Sequence, residues 1–319
     1  KKILSAKHRK SGWNSSVSGW NTPESQQQFG VKWVPTSMQH ADSCVTAVQK
    51  TCKLIHTLPN KGVSVSMKIE VSGITNVGNV RELNEDSYAI RGFEENQPSG
   101  VCILADGMGG HNAGEIASQH AVSFVDEVLG SNYNRKETEI PGLLAEAVSH
   151  ANKEIYELAL HTPGQHGMGT TLVIGFITDT AAYIANVGDS RAYAIRDGEL
   201  CRITVDHSIV EELVANGTIT REEAFHHPQK NIITRAVGTD PTIKTDVYEY
   251  TYLPGDIMLM CSDGLTEMVT EDDIMQIVSN GAGVQDILEQ LVQAALNAGG
   301  HDNITVIGLR FCEEEFTND

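Results

Sequence analysis

Aspartates followed by glycine end two apolar stretches of the chain, and such residues are well suited to bind a metal ion. Asp106 follows Val101–Ala105, and Asp263 follows Ile257–Cys261. Glycine after an acid lets backbone carbonyls approach a ligand, because no Cβ intervenes. Hard divalent cations prefer such oxygen ligands. A glycine-rich turn that caps a helix would produce the same residues, so each segment alone leaves both interpretations open.

Further acids stand at other predicted strand ends. Asp189 lies between two strands, Asp302 precedes the last strand, and Asp86 begins a strand shortly after Arg81 and Glu85. Neighbouring residues of a strand point to opposite faces, so at most one of Glu85 and Asp86 can contact a metal directly. A solvated turn explains each of these acids equally well when it is considered alone.

Five aspartates would meet if one end of a layered sandwich gathers these strand ends: Asp86, Asp106, Asp189, Asp263 and Asp302. Clustered carboxylates repel each other unless cations neutralise them. A set of carboxylates without Cys or His at zinc-ligand spacing favours Mg²⁺ or Mn²⁺. Such ions can lower the pKa of a bound water and so supply hydroxide at neutral pH.

Taken together, the order and spacing of eight short segments are specific enough to indicate a protein family. They are RELNEDS, ADGMGG, GMGTT, NVGDSRAY, DHS, NIITRAVG, SDGL and GGHDNIT. This series resembles the type 2C (PPM) family of metal-dependent serine/threonine protein phosphatases, in its compact bacterial form, over essentially all of residues 67–319. The resemblance implies an α+β fold, a four-layer α-β-β-α sandwich of two antiparallel sheets flanked by helices, with a small helical flap at about 207–230.

The resemblance implies that the chain hydrolyses phosphoserine and phosphothreonine by attack of a hydroxide that bridges two Mn²⁺ or Mg²⁺ ions, without a phosphoenzyme. Asp106 would bridge the ions, and the carbonyl of Gly107 would complete one of them. Asp263 and Asp302 would hold the other ion. A third, weaker ion would use Asp189 and Asp263.

The remaining site residues follow from the same resemblance. Glu85 and Asp86 would act close to the ions, largely through metal-bound waters, and Arg81 would bind the substrate phosphate. Met108 stands where eukaryotic members carry a candidate general acid, His. A metal-bound water is then the first choice of proton donor, with His111 and His207 as alternatives.

Charge and composition predict two parts of the chain. The net charge of −19 disfavours nucleic acid as a partner, because phosphates would be repelled. Residues 1–66 hold nine Lys and Arg against two acids, a balance of +7, which leaves −26 for the remainder. We therefore predict a basic, poorly ordered extension or non-native leader at 1–66 and a catalytic domain at 67–319. Removal of residues 1–66 is expected to leave folding and activity intact.

Periodicity predicts the elements that position the acids. The predicted strands are 68–75, 86–91, 101–105, 171–178, 181–187, 192–196, 245–252, 257–261 and 304–311. The predicted helices are 113–129, 141–160, 208–215, 220–225 and 284–298, with a possible short helix around 44–56. Glu313–Glu315 is interpreted as a solvated tail.

The expected setting is a monomeric cytoplasmic enzyme without membrane segments. No apolar run approaches the roughly 18 residues that span a bilayer, and six well-separated cysteines are read as reduced thiols. The expected partners are proteins phosphorylated on Ser or Thr and an opposing serine/threonine kinase. Two alternatives stay open: an inactive module that binds phosphoproteins, and a metal-dependent phosphomonoesterase with a non-protein substrate.

Overall fold

The computed structural model describes residues 2–3, 26–27, 29–34, 65–94, 97–110, 113–130 and 136–315. The strands in these ranges are β1 Lys2–Ile3, β2 Val31–Val34, β3 Val65–Asn76, β4 Asp86–Glu94, β5 Gln97–Met108, β6 Gly169–Thr170, β7 Leu172–Ile177, β8 Ala182–Val187, β9 Arg191–Arg196, β10 Glu199–Arg202, β11 Ile232–Ile233, β12 Asp246–Tyr250, β13 Ile257–Cys261 and β14 Ile304–Glu315. The helices are α1 Ala113–Leu129, α2 Ile140–His161, α3 Ile209–Ala215, α4 Arg221–Phe225, α5 Asp263–Thr266, α6 Glu271–Asn280 and α7 Val284–Asn297.

Two antiparallel sheets form the centre of the fold. The first sheet has the strand order β10-β9-β13-β14-β3, and the second has the order β2-β12-β8-β7-β5-β4, with β6 paired to β5. The short strands β1 and β11 pair in parallel as a separate ribbon.

Alternation along the central strands divides their side chains between two cores. In β5, Ile103 belongs to the core under the helices, while Leu104 belongs to the core between the sheets. In β13, Met258 packs between the sheets and Leu259 packs outward. Both faces of these strands are covered, which explains why β7 and β13 read as continuous apolar runs.

Helices cover the outer face of each sheet. The apolar stripe of α1, which includes Ala117 and Val125, packs with α2 on the second sheet. Leu288 and Leu291 of α7 pack with Ile274 of α6 on the first sheet. These residues recur at helical spacing, so burial of one stripe fixes the orientation of each helix. The predicted four-layer α-β-β-α sandwich is confirmed.

Each of the nine predicted strands has a counterpart, but the last strand is longer than expected. Strand β14 continues through the acidic residues to Glu315, which pairs with Val65 at the start of β3. Glu313–Glu315 therefore form the end of the last strand and not a tail after it, while the Glu313 side chain is exposed to solvent as expected. Pairing with β3 supplies ladder hydrogen bonds that a charge-based reading of the sequence cannot detect.

A short part of the basic N-terminal stretch also belongs to the sandwich. Strand β2 pairs with β12, and both Phe29 and Val31 are buried in the core between the sheets. The guanidinium of Arg196 lies 5.9 Å from the centre of the Phe29 ring. For residues 29–34 the expectation of poor order is corrected, because these apolar side chains fill the core at the sheet edge. The possible helix at 44–56 lies outside the described residues.

None of the described helices combines the length and apolar character that a membrane-spanning helix requires.

Candidate active site

Strand register brings the predicted acids to one end of the sandwich. Residue pairs mark this end in both sheets: Cys261 pairs with Arg191 and Val306, and Leu172 pairs with Val187. The acids follow or precede these paired ends along the chain. Antiparallel pairing therefore places the end of one strand beside the start of its neighbour, which local sequence patterns cannot show.

Asp86 and Asp106 lie directly opposite each other on the neighbouring strands β4 and β5. Both are buried, with 8% and 7% of their surface exposed. Opposed residues of an antiparallel pair share one face of the sheet, with Cβ atoms about 5 Å apart. Two carboxylates at this spacing repel each other, so the pair is suited to a cation.

A hydroxyl network holds the backbone of Asp106. Its N–H donates to Thr171 Oγ1 at 3.0 Å, and its carbonyl accepts from Thr170 Oγ1 at 2.9 Å. Thr171 Oγ1 lies 2.7 Å from Ser190 Oγ, and all three hydroxyl residues are buried. Buried, mutually bonded hydroxyls have few alternative arrangements, so they fix the position of Asp106.

Gly107 lies at a close approach of three backbone segments. A Cβ at this position would lie 2.0 Å from the carbonyl oxygen of Gly114 and 2.6 Å from that of Glu85. The Gly107 N–H donates to the same Glu85 carbonyl at 3.0 Å. Only glycine permits this close approach of the backbone segments.

Ser262 connects the two sheets beside the site. Its hydroxyl donates to Asp86 Oδ2 at 2.8 Å and accepts from the Thr305 N–H at 3.0 Å. Asp263 follows it as the first residue of α5 and is 5% exposed. Ser262 therefore fixes Asp86 of the second sheet relative to Asp263 of the first.

Asp302 and Arg81 form an ion pair at the rim. Arg81 Nη2 lies 2.7 Å from Asp302 Oδ2, and Arg81 Nη1 lies 3.9 Å from Glu85 Oε2. Burial raises the pKa of Glu85, and the Arg81 guanidinium partly offsets this effect. The Arg81 side chain is 43% exposed, so its remaining donors face solvent at the edge of the site.

Asn303, which the sequence reasoning missed, pins the loop that carries Arg81 and Glu85. Its amide Nδ2 donates to the carbonyls of Val77 and Leu83, each at 2.9 Å. Its Oδ1 accepts from the Glu85 N–H at 2.8 Å. The sequence contained one indication of this role, which is the asparagine next to the candidate metal ligand Asp302. If such an amide is buried, its polar atoms need hydrogen-bond partners in neighbouring segments.

Asp189 lies in the turn between β8 and β9, and the imidazole of His207 accepts a hydrogen bond from the backbone of this turn. The Gly188 N–H donates to His207 Nδ1 at 3.0 Å, so the neutral ring carries its proton on Nε2, 3.0 Å from Asp246 Oδ2. Burial lowers the pKa of His207. Arg235 Nη1 lies 2.9 Å from the same Nε2, but both are donors in this tautomer, and Arg235 pairs instead with Asp246 Oδ2 at 3.4 Å. Both ring nitrogens are engaged, which argues against His207 as the proton donor.

Met108, which has no proton to donate, is buried with Ile233 and Ala236 in a small apolar cluster. His111 lies outside the described residues.

The predicted flap consists of α3 and α4, and a buried carboxylate fastens it to the sandwich. Glu211 of α3 accepts from Arg202 Nη2 at 2.9 Å and from Arg221 Nη2 of α4 at 2.8 Å. Burial alone would raise the pKa of Glu211, but Arg202 and Arg221 outweigh it and hold the pKa at about 2. This ion cluster joins both flap helices to β10.

The donor set fits hard divalent cations. The opposed pair of Asp86 and Asp106 supplies carboxylate oxygens of the type that Mg²⁺ and Mn²⁺ prefer as ligands. Within the described ranges, no three Asp, Glu, His or Cys side chains stand close enough to form a complete metal cage. Asp302 is instead turned toward Arg81. The site assignments of the five aspartates stay predictions.

Comparisons with known proteins agree on one family. A protein phosphatase 2C family model matches residues 79–299. The serine/threonine phosphatase Stp of Listeria monocytogenes is 38% identical over 240 residues, which cover 73% of this chain and 92% of that protein.

Solved structures give the same result. The serine/threonine phosphatase Stp1 from Staphylococcus aureus superimposes with a TM-score of 0.72 at 34% identity, covering 79% of this chain and 99% of that one. The catalytic domain of the serine/threonine protein phosphatase PstP, in complex with two manganese ions, has a TM-score of 0.68 at 32% identity, covering 77% and 100%.

Proposed function

The chain belongs to the protein phosphatase 2C family, and we propose that the carboxylates at the end of its sandwich carry out the hydrolysis of phosphoserine and phosphothreonine in proteins. The chain is a protein serine/threonine phosphatase that depends on divalent metal ions. The observation that supports this assignment of the site is the buried, opposed pair of Asp86 and Asp106. Such a pair needs neutralising cations, as a phosphate-hydrolysing metal site also does.

The metal ligands in this proposal are residues of both sheets. Asp106 and the Gly107 carbonyl from the second sheet would hold one ion, and Asp106 would share the other with Asp263 and Asp302. Asp189 and Asp263 would hold a third, weaker ion. When bound, Mn²⁺ or Mg²⁺ lowers the pKa of water toward about 7 and stabilises charge on the phosphoryl group.

The chain's own side chains orient the reaction. Arg81 is exposed enough to exchange its pairing with Asp302 for a bidentate contact with the substrate phosphate. Asp86, held by Ser262, and Glu85, whose backbone is held by Asn303, would orient water beside the ions. In-line attack by water then needs no protein nucleophile, so no phosphoenzyme forms.

The partners follow from the reaction. The substrates are proteins phosphorylated on serine or threonine, and a serine/threonine kinase would supply them. We also propose that the enzyme acts as a monomer.

A turnover assay tests the proposed function. The full chain, treated with a chelator and then supplied with Mn²⁺, should release phosphate from a phosphothreonine peptide, and chelated protein should not. Calorimetry with Mn²⁺ provides a readout that is independent of activity. Rapid phosphate release by protein that binds no metal would contradict the role assigned to the carboxylates.

A further inference from the structure

The loop that carries Arg81 exposes apolar side chains on both sides of it. Val77, Val80 and Leu83 are 36%, 61% and 44% exposed. Among the described residues, seven large hydrophobic side chains are exposed to this degree, and these three fall within seven positions of the chain. Contiguous exposed apolar patches mark binding surfaces, and three exposed aliphatic residues on one short loop beside Arg81 are a candidate for such a patch.

The backbone under these side chains is firmly held. Asn303 bonds the carbonyls of Val77 and Leu83, at the two ends of the loop. Asn79 in its middle donates from its backbone N–H to the Gly300 carbonyl at 2.7 Å and from its side chain to the Leu296 carbonyl at 2.8 Å. The apolar groups are therefore presented on a preorganised support, which lowers the entropic cost of binding.

We propose that Val77, Val80 and Leu83, together the apolar platform, bind an apolar side chain of the substrate within two residues of the phosphoserine or phosphothreonine. This inference rests on the proposed function, and it names a substrate class: phosphopeptides with an aliphatic residue close to the phosphorylated one.

Covalent geometry supports this occupant. A phosphate held by Arg81 tethers its peptide, and an extended chain advances about 3.3 to 3.6 Å per residue. Side chains one or two positions from the phosphoresidue thus stay within about 7 Å of it along the chain. Val80 adjoins Arg81 and Leu83 is two residues away, so the backbones of these two platform residues lie within about 7 Å of the backbone of the phosphate-binding residue. Val77 begins the same loop, which Asn303 holds at both ends.

Paired phosphopeptides test the proposal. Each pair has the same phosphothreonine and carries either Leu or Gly at one of the four positions from two before to two after it. The full chain with Mn²⁺ should prefer the Leu peptide in kcat/KM by about three- to tenfold at one or more positions, the range expected for partial burial of one aliphatic side chain. Equal rates for Leu and Gly at all four positions would overturn the platform.

Variants then locate the preference. The Val80→Ser/Leu83→Ser double variant should bring the Leu-to-Gly ratio close to one, whereas Leu160→Ser, at a similarly exposed leucine at the end of α2, should keep it. The ratio is insensitive to a general loss of active enzyme, because both peptides share that loss. The nearly isosteric Val80→Thr should lower the ratio without disturbing the fold. A ratio that survives both platform variants would assign the preference to another surface.

The same assay distinguishes failure of the platform from failure of the proposed function. If the unmodified chain hydrolyses neither peptide of any pair in Mn²⁺, the proposed function itself is wrong. If it hydrolyses both peptides equally, the enzyme stands and the platform does not.

Discussion

Asp86 and Asp106 face each other across adjacent strands, and neither exposes more than a tenth of its surface. Because the two carboxylates repel each other, loss of one charge changes the affinity for cations directly. Asp106→Asn should lower turnover by about a thousandfold or more and weaken Mn²⁺ binding in calorimetry. The exposed Asp272→Asn in α6 is a matched control and should do neither. Full activity of Asp106→Asn would show that Asp106 is not a metal ligand.

Arg81 and Asp263 should separate phosphate binding from metal binding. Arg81→Ala removes a charge-assisted, bidentate contact and should lower kcat/KM by about 10- to 150-fold. Mn²⁺ titration of this variant should stay close to that of the unmodified chain, because arginine cannot ligate the metal. Asp263→Ala should instead lose metal affinity. An equally severe loss of Mn²⁺ binding in Arg81→Ala would show that its role is wrongly assigned.

Asn303 should position the phosphate-binding loop without touching substrate. Asn303→Ala removes three hydrogen bonds and should lower the free energy of unfolding by about 2 to 4 kcal/mol. The loop carries Arg81, so KM for the phosphopeptide should rise more than kcat falls. Asn280→Ala, at an exposed asparagine that ends α6, is the control variant and should change neither KM nor kcat. A variant with unchanged KM would show that the pinning is not needed for binding.

Glu211 should make the attachment of the flap sensitive to acid. Its pKa is held at about 2, below its ordinary value of 4.5, so its ion pairs stabilise the folded state fully above pH 4.5. That stabilisation is lost as pH falls from about 4.5 toward 2. Glu211→Gln should cost about 2 to 4 kcal/mol at neutral pH, since Arg202 stays buried.

Urea unfolding of both proteins across this pH range measures the effect. The gap in unfolding free energy between the unmodified chain and Glu211→Gln should be constant above pH 4.5 and shrink below it. If the difference in unfolding free energy were unchanged at pH 2, protonation of Glu211 would not be linked to unfolding.

Phe29 should contribute to stability although it lies in the compositionally distinct N-terminal stretch. Its ring is 6% exposed, so Phe29→Ala should lower the free energy of unfolding by about 3 kcal/mol or more through the cavity it leaves. Trp33→Ala, at a ring that is 53% exposed on the same segment, should cost much less. Thermal unfolding followed by circular dichroism compares the two. Equal stability of Phe29→Ala and the unmodified chain would indicate that the folded domain begins at Met67, as the composition predicts.

The sequence alone determined the strands, the helices and the order of the acids, and the resemblance of its eight segments to one family implied the sandwich. The uninterrupted apolar run Val101–Ala105 indicates a buried strand, and the helical stripes indicate which side of each helix is buried, because both are properties of local geometry. The Asp-Gly segments at Asp106 and Asp263 likewise mark strand ends without reference to distant residues.

Only the tertiary structure decided which of these residues meet. Asp86 faces Asp106, Asn303 reaches back 218 positions to the Glu85 N–H, and Phe29 enters a core built by strands far along the chain. Such contacts depend on strand register and on packing between sheets, which leave no periodic trace in any one segment. The composition break at Met67 was misleading at residues 29–34 for the same reason: burial of Phe29 and Val31 is decided by the cavity they fill, and not by the charge of their neighbours.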